Sequence, residues 1–130
     1  MVYKNRQAPT HFYTTAVATI AKSASWTTVS NIVECFSAKT AYLQVSFYGT
    51  DASHTSGTVT FNFVARGDYE DHWPTTASFV VEATPNGTAQ VIQDEIVDCE
   101  PYYDLKILSI ANANATYAVN TSQASISYKF

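Results

Sequence analysis

The densest chemistry in this sequence lies in one stretch, Arg66-Gly67-Asp68-Tyr69-Glu70-Asp71-His72-Trp73. Asp68, Glu70 and Asp71 crowd three carboxylates into four residues, and carboxylate oxygens are the ligands a hard cation such as Ca2+ takes. The segment lacks the DxDxDG spacing of an EF-hand loop, so these three are weak metal candidates. The plainer reading is a solvated loop whose acids cap turns. Arg66-Gly67-Asp68 also matches a short integrin-recognition motif, although Gly-Asp is ordinary turn chemistry. Tyr69, His72 and Trp73 are of the type that stack on a sugar ring or fill a protein interface.

Elsewhere the reactive residues are scattered. His11, His54 and His72 lie far apart, and no GxSxG, HExxH or phosphate-cradling loop accompanies them. The acids show no pattern that singles out a glycosidase pair. The sequence therefore gives no catalytic residue, no cofactor and no enzyme. Cys35 and Cys99 belong to no CxxC and have no His beside them, which argues against a metal. They do occupy matching places in an internal echo. Ile32-Val33-Glu34-Cys35 precedes Tyr42-Leu43-Gln44-Val45, and Ile96-Val97-Asp98-Cys99 precedes Asp104-Leu105-Lys106-Ile107. Two explanations stay open. A pseudo-twofold sandwich would bring both thiols within disulfide reach. Chance similarity would leave two small buried hydrophobes. Three stretches fit N-glycosylation sequons, starting at Asn86, Asn114 and Asn120, and are read as turns.

The elements that position these residues are strands. The chain has 130 residues, 46% of them hydrophobic and only 14% charged, which fits one domain rich in Thr, Ser, Asn and Tyr. The run 41–48 alternates with period two, with Leu43, Val45 and Phe47 on one face and Tyr42, Gln44, Ser46 and Tyr48 on the other. The run 58–65 repeats this with Val59, Phe61, Phe63 and Ala65. Further strands are expected at 12–20, 26–36, 77–83, 88–98, 102–110 and the C-terminus, with a break at Ser23-Ala24-Ser25 and a loop at 111–116. Pro85-Asn86-Gly87 predicts a tight hairpin between 77–83 and 88–98. The fold class is all-β, an antiparallel β-sandwich of jelly-roll or Ig-like type with about seven to nine strands. The expected core is Leu43, Val45, Phe47, Val59, Phe61, Phe63, Phe79, Val81, Leu105, Ile107, Ile126 and Tyr128.

Residues 1–11 read as an extended N-terminal arm, and 12–130 as the sandwich domain. Lys4, Arg6 and Lys22 are the only charges before Glu34, and all eleven acids follow. A basic arm on an acidic body suggests docking onto an acidic partner, and a frayed end explains it equally. The net charge of −4 makes nucleic acid a poor partner. No run is long and apolar enough for a membrane span, and the expectation is a chain without an export leader. Tyr3, Lys4, Arg6, Tyr42, Tyr48, Tyr69 and Trp73 are the interface candidates. A Tyr-rich sheet surface with no partner is the alternative.

The segment Val59-Thr60-Phe61-Asn62-Phe63, the loop from Gly67-Asp68 to Trp73-Pro74, and the later Ile96-Val97-Asp98-Cys99 and Tyr102-Tyr103-Asp104-Leu105 strands together resemble the small β-sandwich virion proteins of tailed bacteriophages, including head decoration proteins. The likeness covers about residues 25–130 and is one of pattern. The acids at 68–71 and the two Cys are not part of it. What the resemblance implies is a structural virion protein, made in the host cytoplasm, that decorates or stabilises a capsid. Its partners would be capsid or other virion proteins, and it would form a homo-oligomer such as a trimer. The rival is a carbohydrate- or receptor-binding module of tail- or head-fibre type.

Overall fold

The computed structural model describes residues 10–12, 19–27, 31–35, 38–67 and 73–129. Among them there is no helix. Nine strands form: β1 (Thr10–His11), β2 (Ala24–Trp26), β3 (Val33–Glu34), β4 (Thr40–Gly49), β5 (Val59–Arg66), β6 (Phe79–Ala83), β7 (Gln90–Asp98), β8 (Asp104–Asn112) and β9 (Val119–Lys129). They build two sheets in which every strand pair is antiparallel. One has the order β1-β9-β4-β7, and the other β2-β8-β5-β6 with β3 also on β8. Strands β2 and β3 meet successive parts of β8, at Ile110–Asn112 and Asp104–Leu105, and act as one interrupted strand. The remaining order is that of a jelly roll, two Greek keys wrapped into a sandwich, rather than that of an Ig domain.

The alternating runs fold as their pattern dictates. In β4, Leu43, Val45 and Phe47 are fully buried, while Tyr42 and Gln44 are half-buried and Tyr48 is exposed on the outer face. In β5, Val59, Phe61 and Phe63 are equally buried. Phe47 and Phe61 meet across the two sheets with ring centroids 6.1 Å apart, and Phe12 stands edge-on to Phe63 at 5.1 Å. Each such ring removed from water contributes about 1.5–3 kcal/mol. Val81, Leu105, Ile107 and Ile126 complete the expected core. Phe79 is half-buried against its rim, edge-on to Tyr102. The Tyr128 side chain lies outside what is described.

Two bulges adjust the pleat. Between Ser46 and Phe47 the register against β9 shifts, leaving Ser122 as an extra residue. Between Asn62 and Phe63 it shifts against β8, leaving Leu108 extra. The first bulge changes the parity of β9, so that Val119 and Thr121 are buried before it and Ala124 and Ile126 after it.

Several sequence expectations need correction. The strand expected over 26–36 is present only as Trp26 at the end of β2 and as the two-residue β3, and of the run 12–20 the described residues Phe12, Thr19 and Ile20 lie outside the named strands, Ile20 forming an isolated bridge to Val119. The Pro85-Asn86-Gly87 turn forms, with Ala89 N donating to Asn86 O at 3.1 Å and Gly87 at φ 61°. It does not close a hairpin, because β6 pairs with β5 while β7 pairs with β4 in the other sheet. A turn fixes a local reversal, not the partner of each arm, and here it is the corner between sheets. The Ser23-Ala24-Ser25 break is instead the start of β2, with Ser23 at φ 51° just before it. Residues 111–112, read as loop, belong to β8. Thr10 and His11, placed at the end of the arm, pair with Ile126 and Ser125 of β9.

Candidate functional site

The outer face of the first sheet carries the most unusual surface. Strand β7 is its edge, and β7 residues opposite the even positions of β4 point outward: Ile96 faces Tyr42, Asp94 faces Gln44, and Ile92 faces Ser46. Ile96 is 71% exposed and Ile92 57%. The Tyr42 hydroxyl donates to the Asp94 carboxylate between them. Around this pair the face is small and uncharged. The Ser46 and Ser122 hydroxyls share a hydrogen bond of 2.7 Å, and Ser125 and Ser127 follow along β9, with Ser46, Ser125 and Ser127 themselves buried. Tyr48, 39% exposed, closes the far end opposite Gln90. On the other side of β7, Glu95 turns toward the sandwich rim and stays exposed. A charge pointing inward at an edge discourages another strand from adding there. The edge is thus blunted against strand addition, while the exposed apolar side chains Ile92 and Ile96 lie on the outer face.

Trp73 lies on the opposite sheet and is already occupied. The Arg66 guanidinium sits 4.5 Å from its ring centroid and the Lys106 amine 4.4 Å. Lys106 is the cross-strand neighbour of Val64, and Val64 is fully buried although it lies outside the core cluster. The indole thus lies over the outer face of the second sheet, held by two side chains that flank Val64 there. Arg66 also donates to Asp104 at 2.8 Å, its cross-strand neighbour. An arginine held by a carboxylate and an indole is ill-placed to act as the first residue of an adhesion tripeptide.

Of the other sequence candidates, Tyr3, Lys4, Arg6, Tyr69, His72 and the metal candidates Asp68, Glu70 and Asp71 lie outside the described residues. Among those described, no three His, Cys, Asp or Glu residues gather as a metal site. Asn114, in a sequon read as a turn, is one: it is buried, and its Oδ1 accepts from Thr116 N at 2.8 Å and Tyr117 N at 2.7 Å. Asn120 is not, since it lies within β9.

Two polar side chains are buried where the sequence pattern gives no sign of it. Asn112 is buried, its amide donating to Tyr117 O at 2.9 Å and to Ile20 O and Ala21 O at 3.3 Å, while its Oδ1 accepts from Asn114 N at 3.1 Å. His54 sits in the polar loop after β4 yet is sealed from solvent, its ring 5.6 Å from that of Tyr117. Neither ring nitrogen makes a well-formed hydrogen bond among the described residues. Loss of hydration lowers its pKa from the usual histidine value. The Ala118 backbone and Asp51 oppose this only in part. Polar loop composition gave no signal of this burial. A hint lay in Gly49, where a Cβ would fall 2.7 Å from the imidazole Nδ1.

Compared with known proteins, the chain matches no family model and no curated protein.

Proposed function

We propose that this domain is a structural protein of a virus particle, of the head-decoration kind, which assembles through the outer face of the β1-β9-β4-β7 sheet. The observation that carries this reading is the pair Ile92 and Ile96, exposed on the outer face of a nine-residue edge strand beside the half-buried Tyr42. Isolated apolar side chains on a surface are ordinary, but two on one face beside a Tyr resemble an interface core, from which charge is depleted. Strand β7 adds Asp94, Glu95 and Asp98 and no base. The chain before Glu34 carries only bases, so a neighbouring copy offers a complementary charge. Repetition over a lattice lets modest single contacts sum to firm attachment. The jelly roll supports the virion part by analogy alone, since the same architecture serves capsids and lectins.

A glycan-binding role draws less support, because the indole that would stack on a sugar is engaged by Arg66 and Lys106. The test is quantitative mass spectrometry of purified particles. A fixed copy number relative to the major capsid subunit is expected. Absence from particles, together with saturable binding on a glycan array, would overturn the proposal in favour of the glycan-binding role.

A further inference from the structure

The echo around the two cysteines is a real local twofold. Cys35 lies where the chain leaves β3 for β4, and Cys99 where it leaves β7 for β8. Each opens an equivalent turn: Ala38 N donates to Cys35 O at 3.1 Å, and Tyr102 N donates to Cys99 O at 3.0 Å. Each corner is tied to the other in the same way. Cys35 N donates to Tyr103 O at 2.7 Å, and Cys99 N to Lys39 O at 3.1 Å. The Cys35 thiol points at Tyr102 O, 3.5 Å away, and the Cys99 thiol at Ala38 O, 3.8 Å away. Residue by residue, the first corner maps onto the second with the cysteines as equivalents. Both side chains are buried, free thiols, each reaching to a carbonyl of the other's corner.

We infer that Cys35 and Cys99 are a disulfide site, a latch that closes across the two corners when the chain meets a low-molecular-weight disulfide. The step is thiol–disulfide exchange. One cysteine thiolate attacks a sulfur of the oxidant, an R–S–S–R compound such as oxidised glutathione, and expels RS⁻ to leave a mixed disulfide. The second cysteine thiolate then attacks the protein sulfur of that mixed disulfide and expels the other RS⁻. The two cysteine protons end on the two released thiols, and two electrons pass from the cysteine pair to the oxidant. The fold already brings two buried thiols onto corners cross-tied by backbone hydrogen bonds, each sulfur 3.5 or 3.8 Å from a carbonyl of the opposite corner, so closing the bond asks for little movement.

The twofold also sets what the latch does. It joins connections that enclose half the chain, and a long closed loop restricts the unfolded chain most. Burial first, then the charges of Cys99 and Asp104, push the Cys35 thiol up to about 12, so the folded dithiol reacts slowly. The bond closes while the chain folds or when the corner opens, and once closed it is shielded from reductant. This inference is independent of the proposed partner surface.

The test refolds the full chain from denaturant in buffers poised with oxidised or reduced glutathione, then acid-quenches, denatures and alkylates it for intact-mass measurement. Native protein is held in the same buffers in parallel, which covers poor refolding. In the oxidising buffer the expected product is a single chain that has lost two hydrogens, takes up no alkyl group, and unfolds at higher denaturant than the reduced form. The double variant Cys35→Ala/Cys99→Ala should unfold at the same point in both buffers. Recovery of both thiols at equilibrium, a chain ending with glutathione on either cysteine, or a crosslink between chains would overturn the inference.

Discussion

Trp73→Ala separates a structural indole from a ligand platform, and its cost follows from the contacts. Each cation near the ring, Arg66 at 4.5 Å and Lys106 at 4.4 Å, is worth about 0.5–1 kcal/mol at a half-exposed site. Val64, fully buried on the same face beside Lys106, would add about 1–1.5 kcal/mol on exposure. The substitution should therefore destabilise the domain by about 2–3.5 kcal/mol. Trp73→Phe keeps the cover and part of the ring attraction, and should cost about 1 kcal/mol. Urea unfolding followed by far-UV circular dichroism reads both, since the signal does not depend on the indole. A cost below about 0.5 kcal/mol for alanine, or a phenylalanine variant as unstable as the alanine one, would refute the clamp. The ring would then be free to serve as a stacking surface.

Other consequences are equally direct. Because burial lowers the His54 pKa, the unfolded chain binds the proton more readily, so stability is full above the unfolded value of 6.5 and falls as pH drops through it. Denaturation midpoints between about pH 8 and pH 5 should show this slope in the wild type and lose it in His54→Gln; an unchanged slope refutes the assignment. Asn112→Asp sets a carboxylate against three backbone carbonyls, so it should be less stable than Asn112→Ala at neutral pH and recover as acid protonates it. A calorimetric scan showing the aspartate variant equal to alanine at both extremes counts against that geometry. Gly57→Ala should destabilise by more than about 1 kcal/mol in urea unfolding, because φ is +78° and a Cβ would fall 2.7 Å from Asn114 backbone. A neutral result would mean the loop yields.

What could be read in the sequence divides along a physical line. Side-chain alternation is a property of each strand alone, so the buried faces of β4 and β5 stood out in Leu43, Val45, Phe47, Val59, Phe61 and Phe63. Which strands pair is a non-local outcome. The Asn86-Gly87 turn therefore signalled a reversal correctly while its two arms went to different sheets. The cysteine echo was visible because a wrapped hairpin repeats its corners on the outgoing and returning chain. The Trp73 clamp was hidden, since only the β5–β8 register puts Lys106 beside Arg66 and Val64. Likewise Ile92 and Ile96 look like core residues in a strand rich in β-formers. Their exposure follows from β7 lying at an edge with Val97 on its inner face.

The outer face of β7 and β4 is proposed to join copies of the chain. Sedimentation velocity over a wide concentration range, on the wild type and on Ile92→Lys/Ile96→Lys, tests it most directly. Both side chains already meet water, so the double variant should keep its circular dichroism spectrum and its unfolding midpoint. The expected result is a wild type that associates as concentration rises and a variant that stays monomeric. A wild type that remains monomeric throughout, or a variant that associates as strongly as the wild type, would contradict it.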